Sequence, residues 1–423
     1  MKKTLFLAAL AIASAPFASA ITCNWSNTLG NNDFGAFSNW SPVPATFQGN
    51  AFDINLSGAN RSAITNTLAP SLALSGRVRL GTQVSRMGEL LISGGTNTFG
   101  DGIQVGATGT GLFTLTSGYV GFLSNFTTIS ESSNSVGTLA MSGGAFVGDR
   151  VTAATALGAS GTIVITGGDV TIFPNDPTPS LSTSGSLRLG SGAAQLHIGG
   201  TAQVTAQTLI LGPVPGTPMG PGLMTMSNGV LNLTGATLTN MPPIIFCPGR
   251  TVDFEGGVWN VDGDVRGDIQ QAISAGLLYH SAGNDWIRVT FDTTNTVVKI
   301  QQPTALESWR FQYFGTIEDA GDAANAADPE NDGIPNLVEF AFALHPLQGN
   351  AGQLPNCTVS GGNLTIEFTQ PGGVSGVSYG AEFSTNLMNW SAVANSGTGA
   401  TNVFTVSIES QPRGFLRLLA IEQ

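Results

Sequence analysis

Charge is scarce in this chain, and positive charge is scarcest. Asp, Glu, Lys and Arg make up 10% of 423 residues, with 15 basic side chains against 27 acidic ones and a net charge of −12. No basic stripe exists to neutralise phosphates, which argues against nucleic acid as a partner. Anionic membrane surfaces are disfavoured for the same reason. Cys23, Cys247 and Cys357 are too few for a disulfide framework. One bridge with an odd thiol and three isolated cysteines both remain compatible with that number. His197, His280 and His345 lie far apart and lack metal-ligand spacing. No Gly-x-Ser-x-Gly elbow or phosphate-binding glycine loop occurs. Beyond the N-terminus no apolar run approaches the roughly 20 residues of a membrane-spanning helix. A catalytic site is therefore not expected, and Arg266-Gly267-Asp268, an adhesion-type tripeptide, carries too little information to count.

The first twenty residues read as an export signal. Lys2 and Lys3 form a basic start, Leu5 to Ala13 a short apolar stretch, and Ala18-Ser19-Ala20 a small-x-small cleavage site. The expectation is a soluble mature chain from Ile21, secreted to the extracellular space or cell surface, with the periplasm as the alternative.

What is abundant is glycine, 56 residues of it, at regular places. The pattern apolar-x-apolar-(Ser/Thr)-Gly-Gly-x-apolar recurs, with variations, as Leu90–Gly95, Phe113–Gly118, Leu139–Gly144, Ile163–Gly168, Leu196–Gly200, Met224–Gly229 and Val252–Gly257. The closing glycines are spaced 23 to 32 residues apart. A second pattern, apolar-x-apolar-Gly, precedes most of them: Val78–Gly81, Ile103–Gly106, Leu187–Gly190 and Leu209–Gly212, with Cys247 in the glycine place after Ile244-Ile245-Phe246. Each repeat thus predicts two or three short strands of period-2 alternation joined by glycine corners that need φ > 0. A lone turn cannot bury its apolar face, whereas stacked turns can. The fold class expected is all-β: a right-handed parallel β-helix of about seven or more turns, then a short helical calcium-loop module and a small antiparallel β-sandwich. The boundaries are 1–20 signal peptide, 21–77 N-terminal capping turns, 78–262 solenoid, 263–305 C-terminal cap and hairpin, 306–348 calcium-loop module and 349–423 sandwich. Trp25, Trp40, Pro42, Pro44, Phe47 and Phe52 suit an irregular first turn that covers an open strand edge. Gly267–Tyr279 has helical spacing, and Asp285–Phe291 with Thr296–Gln301 reads as a hairpin. Trp390 is expected in the sandwich core.

Asp328-Pro329-Glu330-Asn331-Asp332-Gly333-Ile334-Pro335-Asn336-Leu337-Val338-Glu339 is the sharpest local signal. It matches a twelve-residue cation loop with oxygens at positions 1, 3, 5, 9 and 12 and glycine at 6. Carboxylates at alternate positions converge on one hard cation. The metal-ligand set read from the spacing is Asp328, Glu330, Asp332, the Ile334 carbonyl, Asn336 and Glu339, with Glu339 able to bind through both oxygens. An acidic helix start is the plainer alternative. The cofactor expected is a single structural Ca2+. Leu337 to Leu344 has helical spacing, and Trp309, Phe311, Tyr313 and Phe314 are expected to pack against it.

The middle of the chain resembles the passenger repeats of autotransporter-type secreted bacterial proteins. The opening Trp25…Asn39-Trp40-Ser41-Pro42 is similar to their starts, and Asp328 to Pro346 resembles a dockerin or thrombospondin-type-3 calcium loop. Tyr379…Ser384-Thr385-Asn386-Leu387…Trp390 resembles a strand motif of the small β domain that follows such loops. The chain departs from these families in having one loop and no barrel or sorting-tail pattern after it. The resemblance implies a secreted or cell-surface structural or adhesive protein without catalytic activity, whose partner is an extracellular polysaccharide or surface protein. A polysaccharide-binding or polysaccharide-cleaving β-helix is the alternative. For cleavage, Asp253 and Glu255 on one strand face, with Asp262 and Asp264 nearby, are the acidic candidates. Asp149 and Asp169, one repeat apart, are the other pair that stacking could bring together. Arg79, Arg150 and Arg188 show no evident carboxylate partners in the sequence.

Overall fold

The computed structural model describes residues 22–26, 33–44, 51–56, 62–64, 71–74, 76–122, 126–173, 185–213, 218–235, 242–281, 283, 286–350, 352–411 and 413–423. The expected export signal at 1–20 and Phe47 lie outside them. The protein is all-β, and its larger unit, Met1–Ile300, is a parallel β-solenoid of about eight turns. Gln301–Gln423 forms a second compact unit.

Each solenoid turn contributes one strand to each of three ladders. The first ladder runs through Val78–Leu80, Ile103–Val105, Phe126–Ile129, Arg150–Ala153, Ser186–Leu189, Thr208–Leu211 and Ile244–Phe246, all parallel. Upstream it continues through Ala51–Ile54, so parallel stacking already operates in the segment read as a cap. The side-chain register is kept from turn to turn. On the second ladder Leu90, Phe113, Leu139, Ile163, Leu196, Met224 and Val252 form one buried column. On the third, Val120, Phe146, Val170, Val204, Leu231 and Trp259 form another. Each such side chain contributes about 1.5–3 kcal/mol by leaving water, but only because the neighbouring turns supply the other walls. The seven closing glycines Gly95, Gly118, Gly144, Gly168, Gly200, Gly229 and Gly257 all have left-handed φ, between 56° and 85°. They turn the chain between the second and third ladders.

Both ends of the stack are closed. At the start, Thr22–Trp25 pairs with Trp40–Ser41 antiparallel and with Ala51–Ile54 parallel. Trp40 packs edge-on against Trp25, Phe34 and Phe52 at 5.0, 4.8 and 4.8 Å. At the other end, helix Arg266–Ser274 and hairpin Ile287–Phe291/Asn295–Ile300 follow the last turn. Asn295–Ile300 pairs antiparallel with Val258–Asp262, which ends the parallel ladder. Arg79 does have a carboxylate partner: Asp53 in the preceding turn, through bonds of 2.6 and 2.9 Å. Sequence spacing hid the pair because it lies across the first, irregular turn.

The second unit opens with helix Ala305–Phe314, whose Thr304/Glu307 capping box satisfies its first amides. Helix Asn336–Ala341 follows the acidic loop. Two three-stranded antiparallel sheets complete it: Cys357–Ser360, Asn363–Thr369 and Thr401–Ser407 in one, and Ser391–Val393, Val377–Ser384 and Phe415–Glu422 in the other. Leu306, Phe340, Ala341 and Val377 form its core. Trp309 meets Phe340 at 5.8 Å, as the aromatic cluster was expected to do, while Phe311 is exposed. Trp390 is not in the core. It is half-buried at the surface, its ring under Arg417 at 3.9 Å and its Nε1 bonded to the Leu387 carbonyl. The three cysteines are free, Cys23 and Cys247 buried and Cys357 exposed.

Candidate metal centre

The acidic loop folds back on itself through two left-handed residues, Asn331 (φ 59°) and Gly333 (φ 90°). Asp328 pins that turn: its Oδ1 accepts from the Asp332 amide at 3.1 Å and its Oδ2 from the Gly333 amide at 2.8 Å. The alternate residues are thereby turned to one side. Carboxylate oxygens of Asp328, Glu330 and Asp332 lie within 4.8 Å of one another, a triad that could hold a metal ion. Asp332 is itself oriented by the Ile334 amide, which donates to its Oδ1 at 2.9 Å.

Glu339 comes from the following helix and is fully buried. Its Oε2, and both carboxylate oxygens of Glu330, are shut off from water without a hydrogen-bond partner. Burial raises the Glu339 carboxyl to about 8; the neighbouring Glu330 and Asp332 carboxylates push the same way, while the Asn350 hydrogen bond opposes them. Buried like charges that face one another need a proton or a cation between them. Hard oxygen acceptors with no N–H or O–H donor suit a hard divalent cation.

Asn336 has a structural task besides the one its spacing suggests. Its Nδ2 donates to the Asp322 and Ala324 carbonyls, both at 2.8 Å, and so ties the loop to the preceding turn. Its Oδ1 is buried without a partner. One participant was missed by sequence reasoning. Asn350 donates its backbone N–H to Asp332 Oδ2 and its side-chain amide to Glu339 Oε1 at 2.9 Å. Glu339 Oε1 is thus engaged, against the expectation that both oxygens are free. No local motif marks Asn350, because the chain brings it back after the twelve-residue pattern has ended.

A second titratable cluster sits on the solenoid's last rungs. Asp253 is in register with Tyr279, and Glu255 accepts from the Ser281 amide at 3.0 Å and lies 3.3 Å from His280 Nδ1. Burial, then hydrogen bonding and charge from Glu255, raise Asp253 to about 6. Burial acts to raise Glu255 too, but hydrogen bonds from Asp253 and Ser281 outweigh it and bring it down. Asp264 is held instead by Arg266 at 2.8 Å. Asp169 is in register with Ala145, so stacking does not pair it with Asp149. Because Asp253 binds its proton more tightly folded than unfolded, its contribution is largest at low pH and is lost as pH rises through about 6. Asp253→Asn is therefore expected to flatten the Tm profile between pH 4 and 7 and to leave the variant at least as stable as the parent at pH 7. A parent profile that rises through that window, and falls on substitution, would contradict it.

One small space inside the solenoid, about 10 Å3, is lined by residues such as Phe113, Leu139, Met141 and Ile163. That is too small to hold more than one water. Among the described residues no helix is long and apolar enough to cross a membrane. Compared with known proteins, the chain matches no family model, no curated protein and no solved structure.

Proposed function

We propose that this chain is a secreted or cell-surface structural or adhesive solenoid without catalytic activity, stabilised in its C-terminal unit by one calcium ion. The observation that carries the first part is the character of the outward ladders. Thr171, Thr205, Asn232 and Asn260 stack in register on the third face, with Asn260 Nδ2 donating to Asn232 Oδ1 at 2.8 Å. Such a ladder adds rigidity and offers small uncharged groups to a partner over several turns. It provides no cleft in which to enclose a reacting bond. The test is a panel of polysaccharides incubated with purified protein, with binding and product release followed together. Binding without products is expected; released oligosaccharides would overturn the non-enzymatic reading. They would favour the second reading, cleavage by the Asp253/Glu255 pair, which rests on two adjacent carboxylates of opposite proton affinity.

Asp328, Glu330, Asp332 and Glu339 would hold the calcium ion, with the Ile334 carbonyl and Asn336 completing the set read from the spacing. A hard dication there neutralises the buried carboxylates and supplies no chemistry of its own. For a single extracellular loop Kd is on the order of 10⁻⁴ to 10⁻³ M. Calcium at about 10 mM should then stabilise the C-terminal unit by about 1.4–2.7 kcal/mol. Asp332→Ala should abolish that gain. An unfolding midpoint of the parent that is the same in calcium and in chelator would remove the ion from the proposal.

A further inference from the structure

Outside the twelve-residue loop, Asn350 grips two of its carboxylates at once. It is 5% exposed. Its backbone N–H holds Asp332, and its side-chain N–H groups hold Glu339 Oε1 and the His345 carbonyl, both at 2.9 Å. The amide has a defined orientation, because its Oδ1 accepts from Gln353 Nε2 at 3.1 Å. The donor end therefore faces Glu339.

We infer that Asn350 is a specificity-determining residue: by anchoring Glu339 Oε1 to its buried amide it turns that carboxylate so that Oε2 alone is offered to the cation, and so opens the site to Mg2+ as well as Ca2+. Asn350 can do so only if the loop binds a divalent cation, as proposed above. The case for a cation goes beyond clustered acids. Glu339 is fully buried, and its Oε2, which accepts no hydrogen bond, is shut away beside Glu330. Ca2+ takes six to eight oxygens and in such loops gains two from the last carboxylate, whereas Mg2+ demands six at shorter range. Withholding one oxygen costs calcium a ligand and costs magnesium none. Asn350 thus acts on the ion's identity through a neutral hydrogen bond and touches no ion itself.

The test is calorimetric titration of the chelator-stripped full chain with Ca2+, alone and in about 10 mM Mg2+. Magnesium is expected to weaken apparent calcium binding by about tenfold or more, the competition of a millimolar magnesium site. In Asn350→Ala, Glu339 regains its second oxygen and the magnesium effect should shrink, with calcium binding alone kept or strengthened. Gln353→Ala, which frees the amide to turn, should shift the ratio the same way by less. Calcium binding of the parent that ignores magnesium overturns the inference, whether or not the variants fold. So does Asn350→Ala weakening both ions alike, which would mark Asn350 as a purely structural clamp. A parent that binds neither ion defeats the metal reading itself, a result distinct from both.

Discussion

Arg250→Met is expected to destabilise the solenoid by roughly 2–6 kcal/mol. Arg250 is wholly buried at the start of strand Arg250–Phe254, and among the described residues no carboxylate pairs with it. Its guanidinium reaches back through two turns. Nη1 donates to the Pro221 carbonyl at 2.7 Å, and Nη2 to the Gly190 and Gly192 carbonyls at 2.6 and 2.8 Å. Gly222, its register partner, leaves the space the guanidinium occupies, since an added methyl there would collide with Nη1. Burial lowers the arginine's pKa, with nearby Cys247 opposing the shift. Exchanging a buried ion pair for apolar groups can be harmless, because both charged partners leave together. Here the acceptors are backbone carbonyls that stay behind. Methionine fills the volume but leaves the buried Gly190 and Gly192 carbonyls without the guanidinium, at about 1–3 kcal/mol each, while the Pro221 carbonyl keeps its bond from the Ala194 amide. Lysine, a point donor, can satisfy fewer of them and should fall between. Urea unfolding of the purified proteins measures the difference; a loss under about 1 kcal/mol would mean that water replaces the guanidinium.

Gly106→Ala is the second large effect, expected at roughly 3 kcal/mol or more. Gly106 turns the corner between the first and second ladders at φ 72°. An alanine there meets the left-handed penalty of about 1–2 kcal/mol. Its methyl would also drive into the backbone carbonyl of Val136 in the next turn. A backbone in two ladders cannot step aside without breaking pairs on either side. A less flexible unfolded chain returns only about 0.4–1 kcal/mol. The next two corners sharpen the comparison, since Ser130 (φ 66°) and Ala154 (φ 53°) occupy the same place without being glycine. At Ser130 the following turn makes room, and the Ser160 amide donates to its Oγ at 3.1 Å. Ala154→Gly should therefore change stability little. Equal unfolding midpoints for Gly106→Ala and the parent would show that these corners yield more than their packing implies.

The solenoid was legible because its instructions are local and repeated. Period-2 alternation sets which side chains point inward, and a glycine at each closing corner supplies a conformation that other residues reach only with strain. Both were visible as letters at 95, 118, 144, 168, 200, 229 and 257, and every one of those glycines is left-handed. In the second unit, strands Asn363–Thr369 and Val377–Ser384 fall where alternation placed them. The acidic loop was legible for the same reason: its carboxylates are two residues apart, and one tight turn brings them together.

What the sequence alone determined, then, is whatever follows from short-range repetition: a parallel stack of strands, its buried columns and a compact triad of carboxylates. The tertiary structure alone decided the long-range polar partnerships. Arg250 with carbonyls 58 and 60 residues away, Arg79 with Asp53, and Asn350 with Glu339 are cases of this kind. So is the placing of Trp390 under Arg417 rather than in a core. The physical reason is that a buried polar group must find a partner wherever the folded backbone presents one. With turns of unequal length, that place is set by how the chain stacks and not by any spacing along it.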